Sequence, residues 1–214
     1  MRRLTHILMS PPCRLIRLAL GEKRLAYDPA APDDPQKHLP LLVDMDGTVV
    51  VGVWAIIDYL EGMHPEHPLV PEDPVERGEA LRLLDWTMTK FHEEVARRLL
   101  FEKASRAHTG HLLRQPPNME TIRQGRASLL ANLSVVAPLA EQRGFLAGRN
   151  LSLADLALAA HLSALDYYGE VPWSELPAIG EWYVRMKSRP SFRMLLNDRV
   201  PGQPPALQYS ELDF

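Results

Sequence analysis

The stretch Gly144 to Tyr168, GFLAGRNLSLADLALAAHLSALDYY, decides the fold. Ser152 stands three residues before Asp155, which is the spacing of a capping box, in which the carboxylate reaches back to the amide of the serine. After this cap the side chains leave almost no polar face, and a helix that is apolar nearly all round lies inside a protein. A buried helix needs a cap because water cannot satisfy its first amides. The stretch predicts a buried central helix with Ser152 and Asp155 as structural residues.

Composition and charge narrow the function classes. The chain has 214 residues, 46% of them hydrophobic, which suits one large domain or two small ones that share an interface. A formal net charge of -3 gives no electrostatic reason to expect nucleic acid or an anionic membrane as a partner. The single cysteine excludes an internal disulfide and favours a reducing, cytoplasmic setting. No apolar run approaches the ~20 residues of a membrane span, and the N-terminus does not resemble a signal peptide.

The histidines predict no metal site. They include two pairs with two-residue gaps, His64 with His67 and His108 with His111, and neither CxxC nor HExxH accompanies them. Because a structural or catalytic zinc ion needs three or four convergent protein ligands, we interpret these pairs as exposed loop residues.

Other polar side chains of the helical regions are interpreted without a catalytic role. His161 in the buried helix is expected to be a hydrogen-bonded core histidine. His92 is expected on the solvated flank of another helix. A local basic cluster is interpreted as a solvated face, with an acidic partner as the alternative; its members are Arg185, Lys187, Arg189 and Arg193.

The first third of the chain mixes strands and helices. Pro11 and Pro12 open a helix, since proline is tolerated in a first helical turn. Two apolar runs joined by Asp46-Gly47 predict a β-hairpin. The other predicted elements are strands over Leu4–Leu8 and Leu25–Tyr27, a loop over Pro29–His38, hairpin strands over Leu41–Val43 and Thr48–Val51, and a helix over Trp54–Leu60.

From Asp73 onward the periodicity is helical. Asp73 is a predicted N-cap, and apolar residues then recur at three- and four-residue steps as far as Leu99, which predicts one long amphipathic helix. Further helices are predicted over Met119–Gln142, around Ile179–Met186 and from Pro190. The last seventeen residues, DRVPGQPPALQYSELDF, are too rich in proline for a helix. Their apolar side chains either pack back on the body or are presented to a partner.

This pattern resembles the glutathione-transferase fold. The resemblance is carried by FLAG…LSLADL and by the order strand–helix–strand, hairpin and helix, then helices only. It implies an α/β plus all-α architecture, with an N-terminal thioredoxin-like domain and a C-terminal helical bundle. In that family the proline that opens the hairpin is cis, so Pro40 is expected to be cis. The expected divisions are a thioredoxin-like domain at 1–63, a linker at 64–74, a helical domain at 75–197 and a tail at 198–214.

The resemblance places a transferase site at the start of the first helix. Ser10 and Cys13, in SPPC, match positions at which the family carries its catalytic serine or cysteine. A helix N-terminus lowers the pKa of a thiol, so Cys13 could be reactive. The alternative is a small buried residue that packs the helix on the sheet. Ser10 and Cys13 are therefore the residual catalytic candidates.

The glutathione-holding part of that site is missing. Enzymatic members carry an acidic residue and a serine at the start of the third helix, whereas the aligned stretch here is GVWAIIDYL, with Gly52 and Val53 at those positions. Neither side chain can pair with the ammonium or donate to the carboxylate of a γ-glutamyl group. The sequence therefore argues against ordinary glutathione transferase activity, and no cofactor is predicted. Trp54 is interpreted as packing in the core or a dimer interface, or else as lining the cleft.

A second resemblance is carried by residues 171–214, VPWSELPAIGEWYVRMKSRPSFRMLLNDRVPGQPPALQYSELDF. This run, together with LLFEK at 99–103, is similar to the FtsZ-localized protein A family of bacterial cell-division factors. Family members bind polymers of the tubulin-like GTPase FtsZ, form transferase-type dimers and act on filament curvature and constriction. The resemblance implies a non-enzymatic, cytoplasmic homodimer at the division site. The short loop over Pro29–His38 departs from longer family members.

The resemblance and the composition of the tail place the FtsZ contact near the C-terminus. The expected contact residues are Arg199, Tyr209, Leu212, Asp213 and Phe214. The alternative function is a glutathione- or thiol-dependent transferase that works through Ser10 or Cys13.

Overall fold

The computed structural model describes residues 1–34, 38–105 and 116–211. Its N-terminal part is a mixed four-stranded sheet covered by helices. The elements are β1 (Arg2–Thr5), α1 (Pro11–Glu22), β2 (Tyr27–Ala30), β3 (Leu41–Val43), β4 (Val49–Val51) and α2 (Val53–Met63). The strand order is β2-β1-β3-β4, in which β1 runs parallel to β2 and antiparallel to β3, and β3 runs antiparallel to β4. This is the predicted thioredoxin-like arrangement.

The first two strands lie about two residues from their predicted positions. β1 was expected over Leu4–Leu8 and β2 over Leu25–Tyr27, whereas the parallel pairing begins with Arg2 opposite Tyr27. β2 even contains Pro29. A proline is tolerated there because β2 is at the edge of the sheet, where an amide on the outer side needs no partner strand.

The hairpin forms where the sequence predicts it. Its turn contains Gly47 with φ at +88°, a conformation that favours glycine. The Asp44 amide donates to the Thr48 carbonyl at 2.8 Å across the base of the turn. The peptide bond between Leu39 and Pro40 is cis, as expected.

The second part of the chain is helical, and residues 64–73 before it contain no helix or strand. Its elements are α3 (Pro74–Trp86), a π-helical stretch (Thr87–Ala96), α4 (Arg97–Leu100), a second π-helical stretch (Phe101–Ser105), α5 (Met119–Arg143), α6 (Leu153–Tyr167), α7 (Pro177–Lys187) and α8 (Arg193–Leu196). The Asp73 carboxylate caps α3, accepting from the amides of Val75 and Glu76 at 2.9 and 3.0 Å, as predicted.

The predicted long amphipathic helix is not uniform. It changes from α- to π-helical at Thr87, where the hydroxyl donates to the Leu83 carbonyl at 2.8 Å, and the Thr89 hydroxyl donates to the Asp85 carbonyl at 2.7 Å. Such hydroxyl bonds compete for the carbonyls that an α-helix would use. Periodicity alone does not register this competition.

Helix α6 is the buried centre of the protein. Every one of its residues is buried, and α1 packs along it, which joins the sheet to the helical part. The predicted capping box of Ser152 and Asp155 is present. The Asp155 carboxylate also accepts from the Leu146 amide at 2.8 Å and from Trp182 Nε1 at 3.1 Å. Burial raises the pKa of Asp155, and these hydrogen bonds oppose the rise.

Candidate functional site

The start of α1 carries Ser10 and Cys13, the residual catalytic candidates. Ser10 is the N-cap residue, and its carbonyl accepts from the Arg14 amide at 2.9 Å. The Cys13 side chain is 1% exposed, and burial raises the pKa of its thiol; a hydrogen bond from Ser10 offsets only part of this rise. The pKa of the thiol is therefore raised rather than lowered, and the burial fits the packing alternative; a catalytic role for Ser10 or Cys13 stays a prediction.

The positions that would hold a γ-glutamyl group lack polar side chains. Gly52 has φ at +90°, and its amide donates to the Pro40 carbonyl at 2.9 Å. Val53 is 9% exposed and belongs to the core. A Cβ atom on Gly52 would lie 3.4 Å from His38 Nε2 and would require a strained backbone. A single substitution at position 52 therefore cannot restore an acidic side chain without strain.

Large apolar side chains are exposed next to these positions. Trp54 is 51% exposed, Val49 60% and Val51 39%. Packing of Trp54 in the core of its own chain is therefore wrong as an interpretation. The interface and cleft alternatives remain open for this surface, which we call the β4–α2 patch (Val49, Val51 and Trp54).

Residues 198–211 form a strap that runs back over the body of the protein. Tyr167, the last residue of α6, holds its first half with both side chain and backbone. The Tyr167 hydroxyl donates to the Gln203 carbonyl at 2.7 Å and accepts from the Val200 amide at 2.9 Å. The Tyr167 carbonyl accepts from the Ala206 amide at 2.9 Å.

Tyr209 fastens the second half of the strap to the start of α1. Its side chain is fully buried in a cluster with Met9, Tyr167 and Val200. Its hydroxyl accepts from Arg14 Nη1 at 3.2 Å. Because Met9 directly precedes Ser10, the strap covers the loop that leads into the transferase-like site.

A buried charge cluster joins α1 to the beginning of the strap. The Asp198 carboxylate accepts from Arg14 Nη2 at 2.9 Å and from both terminal nitrogens of Arg17 at 2.7 and 2.8 Å. Burial alone would lower the pKa of Arg17, but its hydrogen bond and charge interaction with Asp198 raise it overall. Arg14 also donates to the Ser163 hydroxyl at 2.7 Å, so one guanidinium touches the sheet domain, α6 and the strap.

A buried lysine holds the end of the strap. Lys187, the last residue of α7, is 1% exposed and donates to the carbonyls of Gln208 and Glu211. Its ammonium lies 3.9 Å from Asp166 Oδ2. Burial lowers the pKa of Lys187, and the carboxylates of Asp166 and Glu211 oppose the change.

A separate cleft lies at the other end of α1. A cleft of about 720 Å³ is lined by residues at the C-terminal end of α1, including Gly21 and Glu22, and by Ser191. The Glu22 carboxylate in its wall is already engaged by Arg189, at 2.7 Å to each of two guanidinium nitrogens. A helix of this length separates the cleft from Ser10 by about 15 Å, so it is not the transferase-like site.

Comparison with known proteins settles the family. Two family models match, the glutathione S-transferase N-terminal domain over residues 4–68 and the glutathione S-transferase C-terminal domain over residues 104–190. FtsZ-localized protein A of Caulobacter vibrioides (strain NA1000 / CB15N) is 42% identical over 228 residues, covering 100% of this chain and 98% of that protein. The chain belongs to the FtsZ-localized protein A family.

Solved structures share the fold of this member of the FtsZ-localized protein A family over its full length. FzlA from C. crescentus has a TM-score of 0.94 and 40% identity, with 100% of this chain and 99% of that chain covered. A glutathione S-transferase from Rhodospirillum rubrum F11 has a TM-score of 0.94 and 39% identity, with both chains fully covered. The predicted glutathione-transferase fold is therefore confirmed.

The contact residues predicted from the FtsZ-localized protein A family differ in their exposure. Arg199 is exposed, and its guanidinium donates to the carbonyls of Leu196 and Asp198 at 2.8 and 2.7 Å. Tyr209 is fully buried, as in the alternative in which the tail packs back on the body, so its side chain is not exposed for a direct partner contact in this structure. Three predicted contacts lie outside the described residues: Leu212, Asp213 and Phe214.

Several side chains that hold the strap or engage α1 were missed or misread in the sequence. Lys187 and Arg189 were assigned to a solvated face, but Lys187 is buried and Arg189 binds Glu22. Arg14, Arg17 and Asp198 were not singled out at all. The available signal was the spacing of the two arginines, three residues apart in an otherwise apolar helix.

The histidines behave partly as predicted. His161 is a hydrogen-bonded core histidine: its Nδ1 lies 2.8 Å from the Ala157 carbonyl and its Nε2 lies 3.2 Å from His92 Nδ1. Burial lowers the pKa of His161 to about 3 and also lowers that of His92, which is half-buried rather than on a solvated flank. Within the described ranges no three metal-ligating side chains come together, and His108 and His111 lie outside those ranges.

Throughout the described part of the chain, no helix combines the length and the apolar character that crossing a bilayer requires.

Proposed function

We propose that this protein is a non-enzymatic cell-division factor that binds polymers of FtsZ and promotes filament curvature and constriction. The observation that carries the proposal is the 42% identity, over the whole chain, to a protein named for its localisation with FtsZ. The proposed setting is the cytoplasmic division site.

The transferase-like site supports a role without catalysis. A glutathione enzyme must stabilise a thiolate and hold the γ-glutamyl end of the peptide. Gly52 and Val53 offer no charged or hydroxyl group for the second task, and Cys13 is buried with a raised thiol pKa. The strap further covers the loop that ends at Met9, directly before Ser10.

The proposed contact with FtsZ involves the exposed side of the strap and the residues that follow it. Arg199 remains a proposed contact because its side chain is exposed. Residues 212–214 remain proposed contacts from the resemblance alone. Tyr209 supports this surface from beneath by packing on Met9.

The proposal includes a homodimer, which would present the same FtsZ-binding surface twice. A two-fold assembly can bridge filaments, or bias their geometry, without any chemistry. The β4–α2 patch is the proposed interface because its exposed apolar side chains need cover. Sedimentation velocity of the wild type and of Trp54→Ser tests this; a wild-type monomer at micromolar concentration contradicts it.

Co-sedimentation tests the central claim. FtsZ assembled with GTP should carry the protein into the pellet in a saturable manner, whereas FtsZ held with GDP, or no FtsZ, should leave it in the supernatant. Absence of pelleting above these controls would refute the proposed function. Electron micrographs of the same samples should show more strongly curved filaments, and straight filaments at saturation would refute the curvature claim alone.

A glutathione- or thiol-dependent transferase is the second candidate. It is favoured by the Rhodospirillum rubrum structure described as a glutathione S-transferase and by the retained Ser10 at the start of α1. Retention on immobilised glutathione, together with a conjugation rate that falls in Ser10→Ala or Cys13→Ser, would support it. Conjugation that proceeds no faster with the protein than without it would exclude this function.

A further inference from the structure

The strap is attached by charged anchors that are themselves buried. At its beginning the Asp198 carboxylate lies between Arg14 and Arg17, whose side chains are 0% and 6% exposed. At its end the Lys187 ammonium donates to the carbonyls of Gln208 and Glu211. Between these anchors the strap is held by hydrogen bonds to Tyr167 and Arg14 and by apolar packing. The strap residue Glu211, which the lysine holds, directly precedes the proposed contact residues 212–214 in the sequence.

Lys187 is an unusual choice if its only task is to stabilise the fold. A buried ammonium loses several kcal/mol of hydration, and an apolar side chain of similar size would fill the same space without that loss. The ammonium constrains the backbone around it, because it carries three hydrogen-bond donors and no acceptor and so must be met by oxygen atoms. Two donors engage carbonyls of two different strap residues, and Asp166 lies on the side of the body at 3.9 Å. The position and direction of the backbone at Glu211 are thereby set.

We propose that Lys187 is a positioning residue for FtsZ binding: it fixes the backbone of the strap at Gln208 and Glu211, directly before the proposed contact residues 212–214 in the sequence. This inference rests on the proposed function. Without the anchor, the backbone at Gln208 and Glu211 samples several paths, and only a fraction of the molecules is competent to bind. The apparent affinity then falls by that fraction, while each correctly ordered molecule binds as before.

The test compares two variants of the same helix. Lys187→Met keeps the apolar stem and removes the ammonium. Arg185→Met is the matched control. Arg185 is exposed, and its guanidinium donates to the Gly144 carbonyl at 3.1 Å, away from the strap. Each is titrated against GTP-assembled FtsZ by co-sedimentation. For Lys187→Met the half-saturation concentration should rise about tenfold with an unchanged plateau, whereas Arg185→Met should match the wild type.

The shape of the titration separates positioning from general stability. If Lys187 only stabilises the fold, Lys187→Met lowers the plateau through loss of folded molecules and leaves the half-saturation concentration unchanged. That result, or a curve identical to the wild type, overturns the inference. If the wild type itself does not bind FtsZ, the proposed function fails, and the anchor is then judged by hydrogen exchange alone.

Amide hydrogen exchange tests the anchor without FtsZ. In the wild type, the Glu211 amide, which donates to the Gln208 carbonyl at 3.2 Å, should be protected from exchange. In Lys187→Met it should exchange faster, while the Ala206 amide, bonded to Tyr167, should keep its wild-type rate. Exchange of Glu211 at the free-peptide rate in the wild type, or equal protection in the variant, overturns the inference even if the variant folds poorly.

Discussion

Replacing Asp198 with asparagine should strongly destabilise the junction between α1 and the strap. The Asp198 carboxylate accepts three hydrogen bonds, one from Arg14 at 2.9 Å and two from Arg17 at 2.7 and 2.8 Å. Asparagine has the same shape but only one acceptor oxygen, and its NH₂ group faces a guanidinium that can only donate. The buried guanidinium groups of Arg14 and Arg17 are then left without the carboxylate that neutralises them.

The magnitude follows from the burial of all three side chains. They are at most 6% exposed, so water cannot replace the lost carboxylate. Removing one partner of a buried ion pair costs about 3–5 kcal/mol in free energy of unfolding. For a chain of this length each kcal/mol lowers the melting temperature by about 2–4 °C, which predicts a fall of roughly 6–20 °C. Urea unfolding followed by circular dichroism and a thermal melt measure the two quantities.

Two matched variants make the outcome decisive. Asp85→Asn removes an exposed carboxylate and should stay within about 0.5 kcal/mol of the wild type. Arg17→Met should cost less than Asp198→Asn, because it removes one cation and leaves Arg14 paired with Asp198. The reasoning is refuted if Asp198→Asn loses less than about 1 kcal/mol, or if Arg17→Met is the more harmful change.

Three further outcomes are expected. Deleting residues 198–214 should destabilise the protein at least as much as Asp198→Asn. Deleting residues 212–214 should abolish FtsZ pelleting, and full binding by this shorter deletion contradicts the proposed contact. Cys13 should react slowly with a maleimide in native buffer and fast in urea, because its side chain is 1% exposed; a fast native reaction contradicts the burial. The folded-state pKa of His161, about 3, lies below its unfolded value, so the unfolded state binds the proton first and stability falls as the pH drops below about 6.5. This contribution is about 1.4 kcal/mol per pH unit; in urea titrations at several pH values His161→Gln should lower the slope by that amount, and an unchanged slope contradicts it.

Local sequence signals were sufficient for the central helix and the hairpin. The box of Ser152 and Asp155 and the turn at Asp46-Gly47 depend on residues close together in the chain, and both form as predicted. The positions of β1 and β2 depend on a pairing between Arg2 and Tyr27, which no local pattern records. The thioredoxin-like and helical architecture could therefore be predicted, but not the strand register.

The missing polar groups of the candidate site could be predicted from the sequence, whereas the buried side chains that surround it could not. The missing polar groups at Gly52 and Val53 are visible in the sequence because they concern residue identity alone. The burial of Lys187 and Tyr209 depends on the return of the strap over α7 and α1, which is a tertiary event. A lysine near a helix end is typical of a solvated surface, and the sequence left open whether Tyr209 packs back on the body or meets a partner, so the internal roles of both residues emerge only from the fold.

The ion pair between Arg14 and Asp198 also has a consequence for biosynthesis. Its partners are 184 residues apart, and the first is made long before the second. Domains tend to fold as they leave the ribosome, N-terminal part first, yet α1 keeps two guanidinium groups without their carboxylate until Asp198 has been made. Closure of so long a loop is slow as well as late. Completion of the N-terminal domain therefore waits for the synthesis of Asp198, and a chain interrupted before that residue keeps two buried guanidinium groups without their carboxylate.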